Sequence, residues 1–366
     1  MRNKSGTIDG VQYLRGIAAL FVVAIHASSM MAYPEYFGKD LLPLEQLGSV
    51  GVSIFFVISG FVITIVTLDR DLRPKTTMGE FFARRFSRIV PFMWICILGY
   101  NALTYLGTHV VEWGPFLRAL VLWPVGELKP NVLWTLRQEF QFYVIFALCM
   151  LSGRRALPWL IAWFLLPLPL AVFAQMNPGA LTVESAPPVA MLYIFGLEGF
   201  ANLLFGGGFL IAWLWLRSAR QASVPGGLPL MAGLALLTGL AIHWLHNSGA
   251  SLPIYWLGMT LLSAAVVGVG VLTRPSSGFV GRLGNLLGNA SYSIYLIHNA
   301  VLLVGLEVFR RLGVEIELWL GWIVLWLGAI GFGVLLHLFV EVPVVRLGAR
   351  MVDRRFPRGR AAASVV

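Results

Sequence analysis

Charge is scarce in this chain. Of 366 residues only 12% are Asp, Glu, Lys or Arg, about half the roughly 25% of soluble proteins. So little charge excludes an ordinary cytosolic enzyme and a disordered chain. Cysteine is scarcer still. Cys96 and Cys149 are the only two, and both sit in apolar runs. That excludes a disulfide scaffold and any cysteine-spaced metal or redox motif. No H-E-x-x-H, Walker A or G-x-S-x-G pattern occurs, so no metal site is expected. No internal repeat stands out, which leaves a repeat-built transporter without support.

Apolar residues are abundant instead, at 58%, with a mean hydropathy of +0.79. Ten stretches are long enough to span a bilayer. They cover 11–33, 48–68, 89–108, 132–152, 156–175, 195–216, 228–246, 254–273, 285–308 and 318–340. The expected fold is an all-α polytopic bundle of about ten transmembrane helices. Met1-Arg2-Asn3-Lys4 resembles the start of a signal peptide. The run after it carries Arg15 and His26 and lacks a small-residue cleavage site, so it reads as a retained first helix.

The net charge of +10 is explained by positive-inside loops and contact with the anionic headgroups of the bilayer, not by a nucleic acid partner. Between the spans, one side holds 20 Lys and Arg and the other 5. Both termini are therefore expected in the cytoplasm. Residues 1–351 are expected to form one membrane domain, and 352–366 a short, loose basic tail.

Ionisable groups inside a span are costly and mark functional sites by default. Arg15, His26, Arg137, Glu139, Glu198, His243, His298 and His337 qualify. At 1.5 Å per residue, His26 and His298 lie about 22 and 20 Å from the inner edge, and Glu139 about 10 Å from the outer one. All three then share one level in the outer half of a core of about 30 Å. Arg15 and His26, eleven residues apart, lie on one helix face about 16 Å from each other. Imidazole can move a proton near neutral pH, which makes His26 the candidate general base. Against that stand snorkelling for Arg15 and a packing role for His26.

Arg84, Arg85 and Arg88 cluster at the cytoplasmic mouth of the third span. Guanidiniums so placed suit a phosphate-bearing ligand, although from spacing alone a plain positive-inside anchor is the stronger reading. Glu139 has Tyr143 on its own face, with Arg137 on another. Ser291, Tyr295 and His298 run along one side of the ninth span, and Ser59-Gly60 sits in the second. Helix–helix packing by small residues is the plain alternative for the last two groups.

Taken together, these pieces resemble the membrane-bound acyltransferase-3 family, in the short form without an appended extracytoplasmic domain. The matching stretches are GVQYLRGIAALFVVAIHA, VGVSIFFVISGF, Arg85-x-x-Arg88 with Pro91, LWTLRQEFQFY, NASYSIYLIH and Glu341-x-Pro343-x-x-Arg346. They occur in family order along nearly the whole chain. Ser53 departs from the pattern, standing where an acidic residue is frequent. Arg137-Gln138 also departs, standing where smaller or uncharged groups are usual. The resemblance implies acyl transfer, with acetyl-CoA as donor substrate and no bound cofactor. It implies a carbohydrate or glycolipid acceptor and the bacterial inner membrane as location. It casts His26 as base or acyl carrier and Glu139 as its orienter. Arg85 and Arg88, with Arg84 beside them, become donor-phosphate ligands. Arg15, Ser59, Tyr295 and His298 become supporting residues. The competing expectation is a transporter or flippase for a lipid-linked sugar or other amphiphile.

Overall fold

A computed structural model describes residues 8–42, 45–151, 153–177, 200–218, 223–313 and 316–357. Among them the chain is helical throughout, with no strand beyond two isolated bridges. The helices are α1 (Asp9–Met31), α2 (Glu45–Thr67), α3 (Met78–Thr108), α4 (Trp113–Leu120), α5 (Leu133–Phe146), α6 (Leu157–Leu165) and α7 (Pro167–Met176). They continue with α8 (Phe200–Arg217), α9 (Gly227–Asn247), α10 (Leu252–Leu272), α11 (Gly278–Arg311), α12 (Leu318–Leu336) and α13 (Val342–Arg355). Single π turns extend α5 at Ala147–Leu151 and join α12 to α13 at His337–Glu341.

Among the described residues nine helical runs are long and apolar enough to cross a membrane. One of them joins α6 to α7, and another joins α12 to α13. The expected span at 132–152 is helical but is not among the nine. Its α-helix is only 14 residues long and carries Arg137 and Glu139. Residues 195–199 of the expected sixth span, including Glu198, lie outside the described residues.

Two boundaries move, each for a local reason. Hydropathy starts the third span at 89, but α3 begins at Met78. Thr77 caps it, its hydroxyl accepting from the Glu80 amide at 3.2 Å, in a Thr-x-x-Glu capping pattern. Arg84, Arg85 and Arg88 are thus part of a rigid helix. The tail expected from 352 is likewise helical to Arg355. Pro91 deprives the Ser87 carbonyl of its usual helical partner, and Gly348 of α13 packs on that carbonyl. Arg84 then ties the two helices together through Asp353 at 2.8 Å.

The centre of the bundle is α1 with α2. Their most apolar windows are 67% and 72% buried, against 22–44% for the other spans. Close approach to these two helices depends on glycine. A Cβ on Gly60 or Gly208 would collide with backbone across the α2–α8 crossing, and one on Gly288 with the Gln12 carbonyl across α1–α11. Small residues at membrane-helix crossings allow such backbone contact. The α1–α11 crossing decides the site, because it brings together residues 272 positions apart.

Candidate active site

A cavity of about 140 Å³ opens between α1, α2, α3, α5, α11 and the π turn after α12. Three guanidiniums reach it, from Arg15, Arg85 and Arg88. Glu139 and Glu341 are the carboxylates. The lining therefore has an excess of one cation, in a setting where water cannot screen it as in bulk. Such a chamber favours an anion with several acceptor oxygens.

Each wall is built by local structure. On α5, Glu139 and Tyr143 are one turn apart, and the Tyr143 hydroxyl donates to the Glu139 carboxylate. Ser59 of α2 donates to the same oxygen at 2.6 Å. Arg85 lies over the Tyr143 ring, 5.9 Å from its centroid, a cation–π arrangement. Arg15 of α1 lines the same cavity as Arg88, Glu341 and Glu139. Glu341 is held by Ser293 at 2.6 Å and by His337 at 2.7 Å. The π turn supplies that placement, since an extra residue in the turn rotates the residues after it.

Tyr295 of α11 lines the cavity with Phe55 and Val52, its ring edge-on to that of Phe55. Thr135 donates to its hydroxyl at 2.9 Å, and its ring sits 5.7 Å from that of His298. Behind it is a histidine pair. His26 Nδ1 and His298 Nε2 are 2.6 Å apart, with nearly parallel rings inclined by 7°. His298 Nδ1 is 2.6 Å from the Tyr295 carbonyl. That carbonyl can only accept, so His298 Nδ1 carries the proton. In a neutral ring, His298 Nε2 must then accept, and His26 Nδ1 must donate to it. The free lone pair of the two rings is left on His26 Nε2. His298 is fully buried, whereas His26 is only partly so.

The residues singled out in the sequence thus fall into two groups. Arg15, Ser59, Arg85, Arg88, Glu139 and Tyr295 share the cavity. His26 and His298 form the pair beside it. The expectation that Glu139 orients His26 is corrected. Glu139 is engaged by Ser59 and Tyr143, and the partner of His26 is His298. Arg84 is corrected too. It is not in the cavity lining, and its guanidinium binds Glu80, Asp353 and the Phe356 carbonyl. Arg137 is buried and donates to the Gly126 carbonyl at 2.9 Å. His243 bonds Gln46, away from the site. Glu341 joins the site although the sequence did not mark it as a site residue. Its motif was visible, but the tenth span was expected to end at 340.

Comparison with known proteins gives the family. Residues 8–338 match the acyltransferase domain family. The exopolysaccharide production protein ExoZ of Rhizobium meliloti is 30% identical over 329 residues, covering 86% of this chain and 95% of that protein. Acyltransferase MdmB of Streptomyces mycarofaciens is 27% identical over 369 residues, covering 92% and 91%. O-acetyltransferase OatA of Staphylococcus aureus is 22% identical over 335 residues. That match takes in 81% of this chain but only 50% of OatA. No solved structure matches. The chain is an integral membrane O-acyltransferase and belongs to the acyltransferase-3 family.

Proposed function

We propose that the protein transfers an acetyl group from acetyl-CoA to a hydroxyl of an exported or lipid-linked polysaccharide in the bacterial inner membrane. The observation that carries this reading is the pairing of a cationic cavity with an adjacent imidazole whose Nε2 lone pair is available. The names of ExoZ and OatA, an exopolysaccharide production protein and an O-acetyltransferase, support the acceptor and the acyl group.

In this reading the cavity is the donor side. Both termini and the arginine-rich end of the bundle face the cytoplasm, where the donor is made. Arg85 and Arg88 hold donor phosphates, and Arg15 lines the path of the acyl arm. The Glu139–Ser59–Tyr143 group keeps the Arg85 wall in place. Tyr295 separates the donor chamber from the histidine pair, so the thioester carbonyl has to reach that boundary.

His26 Nε2 takes the proton of the acceptor hydroxyl as its oxygen attacks the thioester carbonyl carbon. The carbon–sulfur bond breaks as the intermediate collapses, and the imidazolium returns its proton to the departing thiolate. His298 Nε2 accepts the hydrogen bond from His26 Nδ1–H throughout, which holds the productive tautomer and stabilises the transient imidazolium, the orienting role that a third group plays in other acyl transfers.

The test is direct. Purified protein in lipid nanodiscs is incubated with labelled acetyl-CoA and an exopolysaccharide fraction, and label on the glycan is counted. Covalent label lost in His26→Gln supports the reading. Movement of glycan across proteoliposomes without covalent transfer refutes it and favours a transporter.

A further inference from the structure

The end of the bundle opposite the arginine-rich one carries a second cavity, of about 740 Å³, that the chemistry above does not use. Its size is within the roughly 300–1,000 Å³ of ligand sites. It is built at the far ends of the two helices that hold the histidine pair. Phe309 on α11 lies eleven residues beyond His298, hence on the same face and about 16 Å further out. On α1, the chain turns back after Met31, where the Phe37 amide donates to the Met31 carbonyl at 3.1 Å. That turn brings Tyr36 and Phe37 into the cleft.

The lining has a definite chemistry. Tyr36, Phe37 and Phe309 are half-buried rings, whose electron-rich faces suit the C–H faces of a pyranose. Glu35 and Glu317 are exposed carboxylates on the same cleft. Planar acceptors of this kind bind neighbouring hydroxyl pairs. Arg310 also borders the cleft, but Glu307 holds its guanidinium in a two-bond pair at 2.8 and 2.6 Å. Glu307 takes Arg311 as well, at 2.6 Å. Glu307, Arg310 and Arg311 together keep one net positive charge, so with Glu35 and Glu317 these groups carry a single net negative charge, which disfavours a phosphate or a uronate.

We propose that this cleft is an acceptor subsite that binds neutral or amino-bearing sugar units of the glycan chain, several units away from the hydroxyl that is acylated. The proposal rests on the acyltransferase reading above for its role, but not for its binding chemistry. A glycan held in the cleft lies about 16 Å, a few sugar units, beyond the level of His298. Binding energy gathered at a remote subsite can then serve the reacting centre, and the enzyme measures its acceptor over more than one sugar.

The experiment uses the full chain in nanodiscs and tetrasaccharides of β-linked glucose, glucosamine and glucuronic acid. Saturation-transfer NMR and titration measure binding. Acceptor KM is measured with labelled acetyl-CoA. His26→Gln should bind the glucose or glucosamine tetramer as well as wild type does. Tyr36→Ala should weaken that binding about threefold to tenfold, for one lost ring contact, and the isosteric double variant Glu35→Gln with Glu317→Gln at least about tenfold, for its charge-assisted contacts. The double variant should also gain affinity for the glucuronate tetramer. Unchanged binding and acceptor KM in both cleft variants overturns the proposal, as does wild-type protein that binds none of the tetramers or prefers glucuronate. If glycans bind and the cleft variants release them while no transfer is seen, the subsite stands and the acyltransferase chemistry falls.

Discussion

Replacing His298 by Leu removes the acceptor that the structure gives to the His26 Nδ1 proton. Leucine adds no polar group and fits an apolar surround that includes Leu302. The neutral tautomer preference is lost, but the larger cost comes when His26 is protonated during transfer. A hydrogen bond to a charged group contributes about 1.5–3 kcal/mol. At about 1.4 kcal/mol per decade, kcat should fall about 10- to 150-fold. His26→Gln removes the base itself and should cost about 10²–10⁴. The double variant should be no slower than His26→Gln, because His298 acts only through His26. Such non-additivity is the signature of groups that work as a unit. The assay is the initial rate of label transfer from acetyl-CoA to glycan, with donor affinity measured separately and expected to stay constant. If His298→Leu lowers the rate by the same factor in the His26→Gln background, or if His26→Gln alone is near wild type, the derived proton arrangement is wrong.

Three further outcomes are expected. Arg85→Ala with Arg88→Ala should raise the donor KM or abolish transfer, whereas Arg84→Ala should leave donor KM unchanged and mainly loosen α13, because Arg84 binds Glu80 and Asp353 instead of lining the cavity. Normal donor kinetics in a well-inserted Arg85/Arg88 variant would return those arginines to anchoring. Gly208→Val places side-chain atoms against the Val57 carbonyl and the Phe61 amide; the monodisperse peak in detergent should be lost, and its survival would contradict the close α2–α8 crossing. Cysteine tags at the N-terminus and after Arg360 should react only from the cytoplasm, as the 20-to-5 bias requires, and labelling of either from outside intact cells would overturn the topology.

Much of this protein could be read without coordinates, because the energy of placing a residue in a bilayer is largely a one-dimensional property. Twenty apolar residues in a row must span, and buried cations and imidazoles stand out against them. The bundle and the common level of His26 and His298 came from that, and the acyltransferase motifs from the resemblance to a known family. Capping was also legible: Thr77-x-x-Glu80 announces the start of α3, and hydropathy alone overlooked it because Arg84, Arg85 and Arg88 interrupt the apolar run.

Depth along the membrane normal, however, says nothing about direction around a helix axis. Glu139 and His298 were both credible partners for His26 by level, and only the glycine-lined α1–α11 crossing selects His298. The same holds for Arg84, which adjoins Arg85 in sequence yet turns to Asp353, and for Glu341, which a π turn swings into the cavity from beyond the expected end of its span. Sequence by itself determined which residues must leave water and which of those are chemically costly there. Tertiary structure alone decided which of them meet, because that depends on helix rotation and close packing between segments hundreds of residues apart, and no local energy specifies it.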